Sequence, residues 1–316
     1  MPLRGIETLI QENIHKDVHP DNDPGSLNRL RQLLHKQQCC VKNYALLLYA
    51  GDNGISWEGT SRYEPMSSSK IVEAHLRGES LTSRFLNRIG CCEFIADIGL
   101  SDNVEHPALL NYKIRRGSRS FLDGDALTAG EVEQAFTVGH SVWERIAGGR
   151  FDLIGIGEIG VGDTLCAAAI ASVLTGNYPG YMTGSGSSDD KVIDKKIDII
   201  VKAVSEKNPE MTYKGLLTRF GGLEIAGLTG FILEAVKHGV PVMLDGYVTA
   251  VAALLASFQD DRVSRYVIAP SLSLEQGHQI ILDRLGIEPV FRFDFSHGEG
   301  LASIMGMFLA ELVSAF

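Results

Sequence analysis

The 316-residue chain is 45% hydrophobic and 22% charged, with 34 Gly and 10 Pro, a globular composition that excludes disordered, collagen-like and coiled-coil chains. Its 29 Lys and Arg against 39 Asp and Glu give a net charge of −10, so no broad nucleic-acid surface is expected and any anionic ligand must be held locally. No stretch supplies the ~18 uninterrupted apolar residues of a membrane span, and Cys39, Cys40, Cys91, Cys92 and Cys166 lack C-x-x-C or Cys/His spacing, which argues against a disulfide framework or zinc site and suits the cytoplasm.

Met1 to Asn22 mixes charges and histidines without an apolar stretch, so no signal peptide is expected. A turn at Asn22-Asp23-Pro24-Gly25 precedes Ser26, which caps a helix expected over Leu27 to Leu34. Residues 1–40 thus read as a small, mainly helical arm and 41–316 as the main domain. There, Tyr44–Ala50, Glu93–Leu100, Asp152–Gly157, Val240–Leu244 and Tyr266–Ala269 are continuous apolar runs, the pattern of strands covered on both faces. Thr128-x-x-Glu131 is a capping box for a helix reaching about Ile146. Further helices fit Thr164–Leu174, Asp190–Ser205, Leu223–Lys237, Thr249–Phe258, Leu274–Arg284 and Leu301–Ala315. Strand and helix alternate, which predicts an α/β fold: a parallel sheet wrapped by helices, doubly wound and Rossmann-like, in three layers. Ligands sit beyond the carboxyl ends of such strands. Asp52, Glu158, Asp245 and the pair Ser271 and Ser273 fall there.

Gly155-Ile156-Gly157-Glu158-Ile159-Gly160 satisfies G-x-G-x-x-G, but no acid-ended second strand follows about 20 residues on, and Glu158 would face a pyrophosphate. The competing reading is that Gly160-Val161-Gly162-Asp163-Thr164 exposes backbone N–H groups at a helix start for a single phosphate. A plain tight turn is a third. The Gly184 to Ser188 loop is followed by Lys195 and Lys196, either a phosphate-reaching lysine or a solvated helix face. In Ser296-His297-Gly298-Glu299-Gly300, a carboxylate between glycines allows close ligand approach, unless it only complements the following helix dipole. Asp52 and Asp245 read equally as turn formers, and Glu224, in an apolar helix, needs a partner.

Taken in order, these stretches are similar to one family over nearly the whole chain, the nicotinate-nucleotide:dimethylbenzimidazole phosphoribosyltransferases. The matching residues are Pro24 to Leu30, Asp52-Asn53-Gly54 with Glu58-Gly59, Arg116-Gly117-Ser118, Gly157 to Thr164, Lys196, Gly221 to Glu224, Pro241 to Gly246, Ser273 with Glu275 and Gly277, and Gly298-Glu299-Gly300. The resemblance implies transfer of 5-phosphoribose from nicotinate mononucleotide to a benzimidazole nitrogen for cobamide lower-ligand assembly, with no metal or cofactor and a homodimeric enzyme. It implies Glu299 as general base and Glu158 as its partner. Gly160, Gly162, Thr164, Gly184, Gly186 and Lys196 correspond to phosphate and ribose positions, and Ser68, Ile159 and Ser273 to positions around the aromatic base.

The chain departs from the family where Asp163-Thr164-Leu165 replaces Asn-Thr-Thr and Asn53 replaces His. The base-pocket pattern resumes only at Ser68 to Val72, and the family's Gln aligns near His75 or Leu76. The acceptor therefore stays open among benzimidazoles, adenine and phenolics. The alternative is a non-catalytic or partner-dependent paralogue that binds base or nucleotide.

Overall fold

The computed structural model describes residues 26–37, 39–184, 190–206, 210–295 and 297–314. In chain order the elements are α1 (Ser26–Lys36), β1 (Tyr44–Gly51), α2 (Ser68–Leu76), α3 (Leu81–Ile89), β2 (Cys92–Gly99), β3 (Leu109–Asn111), α4 (Ala129–Ile146), β4 (Leu153–Ile159), α5 (Asp163–Thr175), α6 (Ile193–Glu206), α7 (Tyr213–Phe220), α8 (Leu223–Lys237), β5 (Val242–Met243), α9 (Tyr247–Ser257), α10 (Val263–Tyr266), β6 (Val267–Ile268), β7 (Ser271–Ser273), α11 (His278–Leu285), β8 (Phe291–Phe295) and α12 (Leu301–Ser314).

The main sheet runs β3-β2-β1-β4-β5-β6, and every pairing in it is parallel. This is the doubly wound order: successive strands are added outward from β1 on one side and from β4 on the other. β1 is buried along its whole length. Its side chains alternate: Leu47 and Tyr49 enter the apolar core beneath α4, α5, α8 and α9, while Leu46 and Leu48 enter a second core with Leu30 and Leu34 of α1 and Ile304 and Met307 of α12. The sheet is thus the middle of three layers, as the uninterrupted apolar runs predict.

The Thr128 capping box forms, with Glu131 N donating to Thr128 Oγ1 at 3.1 Å and Thr128 N to Glu131 Oε2 at 2.7 Å. Downstream, α4 crosses α8 backbone against backbone. A Cβ on Gly139 would lie 2.5 Å from Phe231 N, and one on Gly230 would lie 2.8 Å from Phe136 Cα.

The helix expected from Leu274 begins only at His278, because Ser271–Ser273 pairs in parallel with Phe291–Phe295 as a small second sheet. That pairing joins segments about twenty residues apart and has no local signature. Among the described residues, no helix is long and apolar enough to cross a membrane.

Candidate active site

A cavity of about 270 Å³ opens at the carboxyl ends of β1 and β4, where the topology reverses. Its wall brings together Glu158, Ile159, Gly160, Gly162, Thr164, Lys196, Ser273 and Glu299, most of the residues singled out from sequence. Ser68 and Gly184 are not on that wall, and Gly186 lies outside the described residues.

The glycine turn explains itself once β4 is seen. Gly155 and Gly157 are interior strand residues, not phosphate-loop residues. A Cβ on Gly155 would strike Met307 Cε and Ser303 Oγ at 2.3 Å, and one on Gly157 would stand 2.8 Å from Gly300 N. These two glycines let α12 and its leading turn lie flat on the sheet, and that removes the dinucleotide reading. Only Gly160 and Gly162 belong to the turn; Gly162 takes φ +95° and caps α5. The turn is held from below by Ser68, completely buried, whose Oγ accepts from Val161 N at 3.0 Å. Ser68 is therefore a support beneath the turn rather than a group at the cavity surface. Asp52 completes this support: its Oδ1 accepts from Ser68 N at 3.0 Å, and its Oδ2 from Ser101 N at 2.8 Å and from Ser101 Oγ at 2.7 Å.

Asp163, at the first position of α5, turns its Oδ1 back onto Thr164 N at 2.6 Å. Burial pushes its carboxyl up to about 7; Glu275 adds to the rise, while the Thr164 N–H and Lys196 oppose it. Lys196 is 3% exposed and donates to Gly184 O at 3.3 Å. Burial lowers its pKa against the opposing pull of Glu275 and Asp163. Gly184 in turn donates its N–H to Glu275 Oε2 at 2.7 Å. Gly184 thus ties Lys196 to Glu275 through its backbone.

Glu299 sits in a left-handed run, with φ of +67°, +56° and +78° at Gly298, Glu299 and Gly300. Only its glycine neighbours take such values without strain. The run is clamped by Asp245, whose Oδ2 accepts from Gly300 N at 3.0 Å and Oδ1 from Ala302 N at 2.8 Å and Ser303 N at 3.2 Å. Asp245, open to a turn-former reading in sequence, thus satisfies the first N–H groups of α12 from the connection after β5. Glu299 Oε2 stands 2.9 Å from Nε2 of the buried His75 and 3.6 Å from Nε2 of His297. His75 entered the sequence reading only as a position near the family's Gln, and its second partner, Glu93, only as the start of a strand; no motif paired either with Glu299. The available signal was a histidine in the last turn of an otherwise buried helix face.

Glu158 Oε2 is buried without a hydrogen-bond partner among the described residues. Burial, followed by the nearby Asp163, Asp245 and Glu224 carboxylates, raises its pKa well above the ordinary range and so favours the protonated acid. Glu224 has its partner in Asn53, whose Nδ2 donates to Glu224 Oε1 at 2.9 Å. Burial pushes Glu224 up to about 8. The same wall also carries the apolar side chains of Ile71, Ile159, Val248, Leu272 and Leu274. Ser273 Oγ lies 3.0 Å from His278 Nδ1 at its edge. A flat ring fits between such surfaces.

A family profile described as "Phosphoribosyltransferase" matches residues 5–316. The chain belongs to this family. It is 32% identical over 98% of its length to the nicotinate-nucleotide–dimethylbenzimidazole phosphoribosyltransferase of Prosthecochloris aestuarii, covering 91% of that protein. It is 31% identical to the namesake from Ruminiclostridium cellulolyticum, covering 92% of this chain and 85% of that one. Among solved structures it is similar to CobT from Thermus thermophilus, with a TM-score of 0.88 and 26% identity over 98% of this chain and 95% of the other. The family's six-stranded parallel core and flanking helices are those described above.

Proposed function

We propose that this phosphoribosyltransferase moves 5-phosphoribose from nicotinate mononucleotide to the ring nitrogen of a benzimidazole-type base, yielding an α-ribazole 5'-phosphate-type nucleotide and nicotinate for cobamide lower-ligand assembly. The observation that carries this reading is the convergence of Glu158, the Gly160–Thr164 turn, Lys196 and Glu299, distant in sequence, on one cavity. In the reaction the base nitrogen forms a bond to C1' as the bond to nicotinate breaks. The departing electron pair neutralises the pyridinium, and Glu299 takes the N–H proton of the base. Pyridinium is already a good leaving group, so positioning and one proton acceptor suffice. Glu158, whose burial favours the protonated acid, hydrogen-bonds to the reactants. Gly160, Gly162, Thr164 and Lys196, with Gly184 and Gly186 behind them, take the phosphate and ribose. Ile159 and Ser273 border the aromatic base, and Ser68 positions the turn.

The proposal extends to a cytoplasmic homodimer with residues 1–40 as an arm on the 41–316 catalytic domain. The resemblance and the five free thiols support it. Incubation of the purified protein with nicotinate mononucleotide and a panel of benzimidazoles, adenine and phenols, read by nicotinate release and product mass, tests the activity. No release with any base overturns it.

One observation favours the binding-only paralogue: the Asp163 carboxylate occupies an N–H at the start of α5 that a phosphate would use. Because that carboxyl titrates at about 7, it is neutral below and repels a phosphate above. The Michaelis constant for the nucleotide is therefore expected to rise with pH through 7. Asp163→Asn lowers it about tenfold at pH 8 and leaves it nearly unchanged at pH 6. Equal effects at both pH values place Asp163 away from the phosphate.

A further inference from the structure

The proposed chemistry leaves unused a buried histidine in direct contact with Glu299. His75 is 2% exposed, in the last turn of α2. Its Nε2 lies 2.9 Å from Glu299 Oε2 and its Nδ1 lies 2.6 Å from Glu93 Oε1 on β2. Ser83 of α3 closes the group, with its Oγ 3.1 Å from Glu93 Oε2 and 3.2 Å from His75 Nδ1. Both ring nitrogens thus face a carboxylate oxygen, and an imidazole can donate at both only as the cation.

The charged groups around it are few. Glu93 faces it from β2 and Glu299 from the turn before α12. His297 Nε2 lies 3.6 Å from the same Glu299 Oε2, and Asp245 and Glu158 front the same cavity from the ends of β5 and β4. On α2 itself, Lys70 pairs with Glu64 and Glu73 with Arg77 at the surface, while Arg84 and Arg88 of α3 are exposed.

We propose that His75 is a positioning residue for Glu299: an imidazolium anchored on Glu93 that fixes Glu299 Oε2, so that Oε1 takes the proton from the acceptor base. This rests on the role proposed for Glu299. Burial alone would favour the neutral ring, but the bonds to Glu299 and Glu93 outweigh it and raise the pKa to about 9. The cation therefore persists through neutral pH. Its loss removes both an orienting donor and a favourable charge beside the base.

The test separates those two losses. His75→Gln keeps an N–H donor but no charge, and His75→Leu keeps neither. With both substrates varied at pH 7.5, His75→Gln is expected to keep kcat within about threefold of the parent, because its N–H still holds Glu299 Oε2. His75→Leu is expected to lose at least about tenfold in kcat, with nucleotide KM within about twofold. A purely structural histidine would show neither this split between kcat and KM nor the rescue by Gln. An unchanged kcat in folded His75→Leu overturns the proposal. Nitrogen-15 NMR of the imidazole in the unmodified protein at pH 7.5 stands apart from variant folding: two protonated nitrogens support the proposal, and a neutral ring overturns it. If Glu299→Gln retains kcat, the reading of Glu299 itself falls; if only the His75 results fail, the inference alone does.

Discussion

Glu299→Gln is expected to lower kcat by about 10²- to 10⁴-fold, the range over which a positioned proton acceptor acts, while nicotinate mononucleotide still binds. The substitution is close to isosteric, and the features that build the Glu299 turn do not depend on its carboxylate. Gly298 and Gly300 keep their left-handed φ of +67° and +78°, and Asp245 still accepts from Gly300, Ala302 and Ser303. The amide retains an oxygen for the His75 N–H but cannot take a proton from the acceptor base. Equal losses in kcat and kcat/KM, with an unchanged calorimetric dissociation constant for the nucleotide, are the expected pattern. Unchanged turnover would remove Glu299 from the role of base. The same assay on Glu158→Gln discriminates the two acids: in a hydrogen-bonding role, favoured by the upward shift of its pKa, Glu158 is partly replaced by an amide, so its loss is the smaller.

Much of this architecture is legible in the amino-acid order because burial on both faces leaves a simple trace. Tyr44 to Ala50 carries no polar interruption, and the structure sends its alternate residues into two separate cores. Strand-end acids were legible for a related reason: a carboxylate at the end of an apolar run has no core to enter, and Glu158 and Asp245 both reach the cavity. What stayed hidden depends on pairs that sequence spacing does not encode. Gly155 and Gly157 imitate a nucleotide fingerprint, yet their missing side chains make room for Met307 and Gly300, about 150 residues on. Ser68 looks like a pocket residue until its hydroxyl is seen to serve Val161 N. His75 and Glu299 are 224 positions apart, and nothing local to either announces the other. Asp52 and Asp245, each open to a turn-former reading, are both long-range caps. A strand-end Asp is placed to serve whichever helix start packs beside it.

That reading of Asp245 carries a second large expected effect. Asp245→Ala removes the acceptor for three backbone N–H groups at the start of α12, in a site only 4% exposed. Unsatisfied buried donors cost about 1–3 kcal/mol each. Partial access of water from the cavity reduces the sum, so a loss of ~3 kcal/mol and a melting temperature lower by about 5–10 °C are expected. The catalytic effect has a different origin. Glu299 is held in its left-handed conformation by the bond from Gly300 N to Asp245 Oδ2, and freeing that turn lets the carboxylate leave its place. Turnover should fall at least about tenfold while nucleotide KM changes little, because the glycine turn after β4 is supported independently by Ser68 and Asp52. Asp245→Asn separates the two effects. Its amide oxygen can still accept from Ala302 and Ser303, but its NH₂ faces the Gly300 N–H, donor against donor. It should therefore melt closer to the parent than Asp245→Ala does, yet lose a comparable share of kcat. If Asp245→Asn keeps full turnover, the Glu299 turn is held by its glycines and by packing on Gly157, and the Asp245 carboxylate serves only the start of α12.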